Sequence, residues 1–253
     1  MAKFTSIEIM GVRVDDVTMS EACDLAAELI SAGGTHQFAT VNPEFIMAAQ
    51  RDPEFADVLK RTALNVPDGI GVLWAARRMA RPVRERVAGV DLMKELCARG
   101  SAYQWRVYFL GARPGVAERA AAVLALKYQG LTMVGTYAGT PRQEDEQPII
   151  ERIRRAQPNL LFVAYGAPAQ DKWLARNLSQ IWSANEAVAS NKGLVGMGVG
   201  GALDFVAGAQ KRAPVWMQHA GLEWLYRLLR DPSRWRRQLA LLRFAASVML
   251  QSK

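Results

Sequence analysis

RVYFLGARPGVAERAAAVLALKY, residues 106–128, is the stretch on which the reading of the fold turns. Its first five residues form a run of strand length that is mostly apolar. Gly111 to Gly115 is a turn, and alanines and leucines then recur at helical spacing, with Pro114 near the helix start where its missing N–H costs nothing. Strand, glycine-rich turn and helix make one βα unit. The alternation continues in both directions, predicting strands over 37–41, 63–66, 106–110, 131–136, 159–164 and 194–199. Helices are predicted between them over 19–31, 43–60, 71–79, 90–98, 114–128, 145–156 and 171–182. Such an order predicts an α/β protein with a Rossmann-like, mainly parallel sheet flanked by helices.

The chain has 253 residues, half of them hydrophobic, enough to bury a sizeable core and to exclude disorder. The first residues lack the apolar run of a signal peptide, and no stretch approaches the roughly 20 apolar residues of a spanning helix, so a cytoplasmic location is expected. Cys23 and Cys97 both fall in helical patterns and read as reduced core thiols. With only two histidines, no zinc spacing is present.

Charge is unevenly spread. The formal net charge is +8, yet the segment 211–253 holds nine basic residues against Glu223 and Asp231, which leaves the rest almost neutral. The expected division is a Rossmann-like domain over 1–208 and a basic, aromatic, helical C-terminal appendage over 209–253. In the appendage, Trp216, Trp224, Tyr226 and Trp235 interleave with arginines, and an apolar run follows over 239–250. Twelve helical residues rise about 18 Å, short of a hydrocarbon core of roughly 30 Å, so this run cannot span a bilayer. It can lie on an anionic leaflet, or dock on the core with a solvated basic face.

In open parallel sheets ligands sit beyond the carboxyl ends of the strands, which selects Thr40 and Asn42, Asp68 with Gly69, the turn from Gly111 to Gly115, and Gly166 to Gln170. Asp68, in NVPDGIG, is the candidate general base, and the alternative is an ordinary helix N-cap. Asn42-Pro43-Glu44 is also good helix-start chemistry. The 111–115 turn would aim free backbone N–H groups at a phosphate. Arg86 beside Glu85 reads first as a surface ion pair. Gly196, Gly198 and Gly201 match G-x-G-x-x-G, but no strand follows them to complete a dinucleotide site.

These residues also carry a resemblance. ATVNPEFIMAAQRDPEF (39–55), NVPDGIGVLWAAR (65–77), ERVAGVDLM (85–93), LGARPGVAERAA (110–121), AYGAPAQDKWLARN (164–177), GVGGALDFVAG (198–208) and the tail over 212–237 resemble, in order, the TagA/WecG/CpsF family of glycosyltransferases. The resemblance implies inverting sugar transfer from a UDP-sugar to a lipid-diphosphate-linked sugar at the inner membrane surface, with no metal or other cofactor. Asp68 would be the catalytic base. Thr40, Asn42, Arg86 and Gln170 would line the pocket, with Gly111 and Gly115 near the nucleotide and Asp204 as a further pocket residue. Arg227, Arg234 and Arg237 of the tail would hold the leaving diphosphate. N-acetylmannosamine is the favoured sugar, with N-acetylmannosaminuronate or glucose as alternatives, and self-association is expected. Tyr165, Asp171 and the polar 183–192 loop depart from the family pattern. The rival classes are a nicotinamide-dependent oxidoreductase, opposed by the missing strand, and a nucleic-acid-binding protein, which would explain the basic, aromatic tail and is not expected.

Overall fold

The structure is a computed structural model that describes residues 4–182, 193–219, 222–230 and 235–251. Six parallel strands form its centre, in the order β4 (Leu64–Pro67), β3 (Gly34–Val41), β8 (Gly193–Gly198), β7 (Leu160–Ala164), β5 (Arg106–Gly111) and β6 (Thr132–Tyr137). Side chains alternate between the two faces, as a pleated strand requires. Val107 and Phe109 of β5, with Leu160 and Phe162 of β7, join one core with α1 (Met19–Ala32), α5 (Gly89–Tyr103) and α6 (Val116–Lys127). Tyr108, Leu110, Leu161 and Val163 join another with α7 (Glu146–Ala156) and α8 (Ala169–Ile181). Cys23 and Cys97 are free and buried in the first core, and burial pushes each thiol up to about 12, out of reach of ordinary thiolate chemistry.

Two expectations about elements change. The helix read over 43–60 is two, α2 (Pro43–Ala49) and α3 (Pro53–Arg61), because Asp52 accepts a hydrogen bond from Phe55 N at 3.1 Å and starts a new helix with Pro53 in its first turn. The N-terminus, assigned no strand, forms a hairpin of β1 (Ser6–Ile9) and β2 (Val12–Asp15). Met10 and Gly11 turn with φ of 51° and 75°, the left-handed pair a two-residue hairpin needs. The buried Asp15 then accepts from Asn65 N at 2.7 Å, fastening the hairpin to the edge strand β4.

The remaining helices are α4 (Ile70–Arg78), α9 (Ala202–Val206), α10 (Val215–His219), α11 (Glu223–Arg230) and α12 (Trp235–Gln251). Phe244 and Val248 of α12, each 2 % exposed, enter a third core built by the hairpin, α2, α3 and α4. Arg212 fixes the start of the tail, its Nη1 and Nη2 donating to the two carboxylate oxygens of Asp91 at 2.6 and 2.9 Å. The tail is therefore packed on the body at both ends. Along it, Trp216 is 65 % and Leu242 70 % exposed. Among the described residues no helix is long and apolar enough to cross a membrane.

Candidate active site

The carboxyl ends of β3, β4, β5, β7 and β8 open into one cavity of about 750 Å³, within the range that receives small ligands. Thr40, Asn42, Asp68, Gln170 and Asp204 all line it. The parallel sheet brings them together because each follows, or packs behind, a strand end.

Asp68 directly follows β4. Its backbone N–H donates to Val41 O at 2.8 Å, which holds it beside β3, and its Oδ2 accepts from Gly89 N at 3.3 Å. It is not a helix cap. The cap position of α4 belongs to Gly69, at φ 97°, and no side chain bonds there. The approach of Gly89 depends on its having no side chain, since a Cβ would stand 2.9 Å from Thr40 Cγ2. Asn42 does cap α2, with its Oδ1 accepting from Phe45 N at 3.0 Å, while the residue still borders the cavity.

Gln170 is 2 % exposed, and its Oε1 accepts from both Gly166 N at 3.1 Å and Gly200 N at 2.9 Å. It thus ties together the turns after β7 and β8. The glycines of the G-x-G-x-x-G match make room for this packing. A Cβ on Gly198 would meet the Gln170 side chain at 2.5 Å, and one on Gly196 would meet Leu174 at 2.7 Å. Behind Gln170, Asp171 is fully buried with neither carboxylate oxygen hydrogen-bonded among the described residues. Burial pushes its carboxyl up to about 7. The Gln170 amide pulls the other way, but outside hydrogen-bond geometry it offsets little.

In the turn after β5, Ala112 N donates to Ala164 O at 3.0 Å and is taken up within the protein, and Val116 N, just past the turn, donates to Arg113 O at 3.0 Å. Gly111 and Gly115 lie off the cavity wall and shape the turn. At Gly111, φ is 96° and a Cβ would stand 2.8 Å from the Ala164 backbone. Ala112 and Arg113 reach the cavity instead, and Arg113 Nη2 donates to Asp204 Oδ1 at 3.1 Å.

Arg86 does not pair with Glu85 and does not line the cavity. Its Nη1 donates to Gln218 O at 3.0 Å and its Nη2 lies 3.8 Å from Glu223 Oε2, so it holds the tail, while Glu85 accepts from Met19 N at 3.2 Å. Arg234, the side chains of Arg227 and Arg237, and the 183–192 loop lie outside the described residues. The tail enters the cavity through Arg212, Glu223, Ala240 and Arg243, and Arg51 lines it from beyond the end of α2. The sequence pattern alone marks none of these as pocket residues. Arg212 lies 121 positions from Asp91, its partner, and no local pattern announces so distant a contact.

A parallel sheet with a carboxylate anchored at a strand end, in a cavity bordered by arginines and carboxylates, has the form of an α/β enzyme with room for a small ligand. Comparison with known proteins makes the class specific. Residues 7–253 match the Glycosyl transferase WecG/TagA/CpsF family, and the chain belongs to that family. It is 33 % identical over 215 residues to the N-acetylglucosaminyldiphosphoundecaprenol N-acetyl-beta-D-mannosaminyltransferase of Bacillus subtilis (strain 168), covering 85 % of this chain and 79 % of that one. Proteins of the same name from Staphylococcus aureus (strain MW2) and Bacillus spizizenii are 30 % identical over 233 and 210 residues, covering 91 and 83 % of this chain and 86 and 77 % of theirs. The protein is thus a glycosyltransferase.

Proposed function

We propose that the enzyme transfers N-acetylmannosamine from UDP-N-acetylmannosamine to undecaprenyl-diphosphate-linked N-acetylglucosamine, in the assembly of a wall polymer, capsule or exopolysaccharide. The observation that carries this reading is the Asp68 carboxylate, oriented by Gly89 N at the floor of an arginine-bordered cavity. The relatives' names supply the acceptor and the sugar. UDP-N-acetylmannosaminuronate and UDP-glucose are the alternative donors.

In the proposed reaction an acceptor hydroxyl oxygen attacks the anomeric carbon from the face opposite UDP. The new C–O bond forms as the bond to the diphosphate breaks, UDP leaves with that electron pair, and Asp68 takes the hydroxyl proton. The configuration inverts. Positive charge for the leaving diphosphate comes from arginines, with no metal ion assigned to the step. The exposed aromatic and aliphatic side chains of the tail, among nine basic residues over 211–253, suit an anionic membrane surface, where each basic residue adds about 1 kcal/mol. Self-association is part of the same reading, and nucleic acid is not.

The test is to incubate the protein and its Asp68→Asn variant with a short-chain prenyl-diphosphate-N-acetylglucosamine and a panel of UDP-sugars, following UDP release and product mass. Transfer from UDP-N-acetylmannosamine alone, lost in the variant while UDP still binds, is the expected result. Product from a different donor would replace the sugar assignment, and full activity in the variant would remove Asp68 as base.

A further inference from the structure

α2 and α12 border the outer part of the cavity. From the α2 segment the lining residues are Glu44, Phe45, Met47, Ala48 and Arg51; Glu44, Met47 and Ala48 share one helical face, and Arg51 follows just beyond the helix end. From α12 they are Ala240 and Arg243, which lie on one face three residues apart. Phe244 and Val248, buried against the α2 core, fix α12 in this place. The walls make a groove that leads outward from Asn42 and Asp68. Small or flexible apolar side chains lie along it, with a guanidinium from each wall at its outer part.

These two arginines differ from the other two on the cavity. Arg113 is paired with Asp204, and Arg212 with Asp91 and Glu223, so their charge is already compensated. Arg51 and Arg243 are exposed, and their guanidinium groups make no hydrogen bond or ion pair among the described residues. A single exposed arginine needs no ligand to explain it. Two of them, from segments nearly 200 positions apart and lining the same groove, outweigh the Glu44 carboxylate on it and leave net positive charge open to an anion.

We propose that the α2–α12 groove is the acceptor subsite, in which Arg51 and Arg243 hold the diphosphate that joins the acceptor sugar to its lipid. The inference rests on the acceptor class given under Proposed function. From Glu44 to the helix end at Ala49 the rise is about 8 Å, and Arg51 stands two residues further on, which gives the wall the length scale of one sugar ring followed by a phosphate. A sugar beside Glu44 and Met47 thus presents its hydroxyl to Asp68 while its anomeric phosphate reaches the arginines, whose planar forks match phosphate oxygens. The lipid leaves past α12, where Leu242 is exposed. The opposite end of the cavity, with Arg113 and the Gly166 and Gly200 turns, is left to the nucleotide donor.

A diphosphate also occurs in the donor, so the experiment separates the two sources. Initial rates are measured against each substrate in turn for the full chain and its Arg51→Gln, Arg243→Gln and double variants, with prenyl-diphosphate-N-acetylglucosamine and UDP-N-acetylmannosamine. Binding of both molecules is measured alongside by calorimetry. The expected result is a rise of roughly tenfold in KM and Kd for the lipid acceptor per arginine, with those for the donor unchanged. An alkyl N-acetylglucosaminide that lacks the diphosphate should bind the wild type and the double variant equally. A shift confined to the donor, or unchanged acceptor binding in the double variant, overturns the proposal. If the wild type turns over no acceptor but still binds the lipid diphosphate in an arginine-dependent way, the groove stands and the reaction assignment fails.

Discussion

The sheet body and the C-terminal tail handle apolar surface in opposite ways. In the body, the strands and the inner faces of the helices are buried in three cores, and the charge is close to balanced. In the tail, Trp216, Leu229, Leu242 and Leu250 stay exposed among arginines, and its attachments include Phe244 and Val248 at one end, Arg212 with Asp91 at the other, and Arg86 on Gln218 and Glu223 between them. A body so packed can hold Asp68 to a fixed geometry. The tail, held at separated points, adds charge to the cavity without being part of its framework. On the proposed reading the body carries the chemistry and the tail handles substrate.

The largest expected effect tests the body. Asp68→Asn should lower kcat by roughly 10²–10⁴-fold with the melting temperature and UDP affinity retained, since it removes a proton acceptor and little packing. Next comes the tail's anchor. Phe244→Ala should remove about 3–5 kcal/mol of packing, seen as faster amide exchange in α12 with protection of β3, β5 and β7 unchanged. Loss of protection in both regions at once would mean that tail and body unfold as one unit.

A third prediction concerns the buried carboxyl behind the site. Asp171 is raised to about 7 in the folded protein against an ordinary 3.8, so the unfolded chain ionises first. The resulting penalty is absent below about pH 4, grows between pH 4 and 7, and is complete above 7, where it reaches a few kcal/mol. Asp171→Asn should therefore raise the melting temperature at pH 8 and leave it nearly unchanged at pH 4. The smallest effect is at the tail's other end. Burial alone would raise Asp91, but the hydrogen bonds and charge of Arg212 outweigh it and hold the carboxyl below its usual range. That contribution is present above about pH 4 and is lost as pH falls further, when Asp91 protonates. Asp91→Asn should cost about 1 kcal/mol at pH 7, with increased proteolysis near residues 209–215 as the readout.

Much of the body could be read from the sequence because its signals are local. Apolar runs set the six strands within a few residues, and the rule that ligands lie beyond strand ends selected Thr40, Asn42, Asp68 and Gln170 before any geometry was known. The hairpin escaped because four-residue strands carry little periodicity, and the break at Asp52-Pro53 was hidden by apolar residues on both sides. Arg51, Arg212, Glu223 and Arg243 were not legible, since they reach the cavity only through tertiary docking. The same holds for Arg86, whose partners lie on the tail more than 130 positions away.

The Gln170 amide oxygen has one further consequence. By receiving both Gly166 N and Gly200 N from a buried position, it makes the two turns mutually dependent, since moving either would strip a buried acceptor of half its bonding at a cost of about 1–3 kcal/mol. Neither turn can swing alone. The wall they form acts as a fixed jaw, and any opening that admits or releases a ligand has to come from the facing side, where α12 rests on two buried side chains.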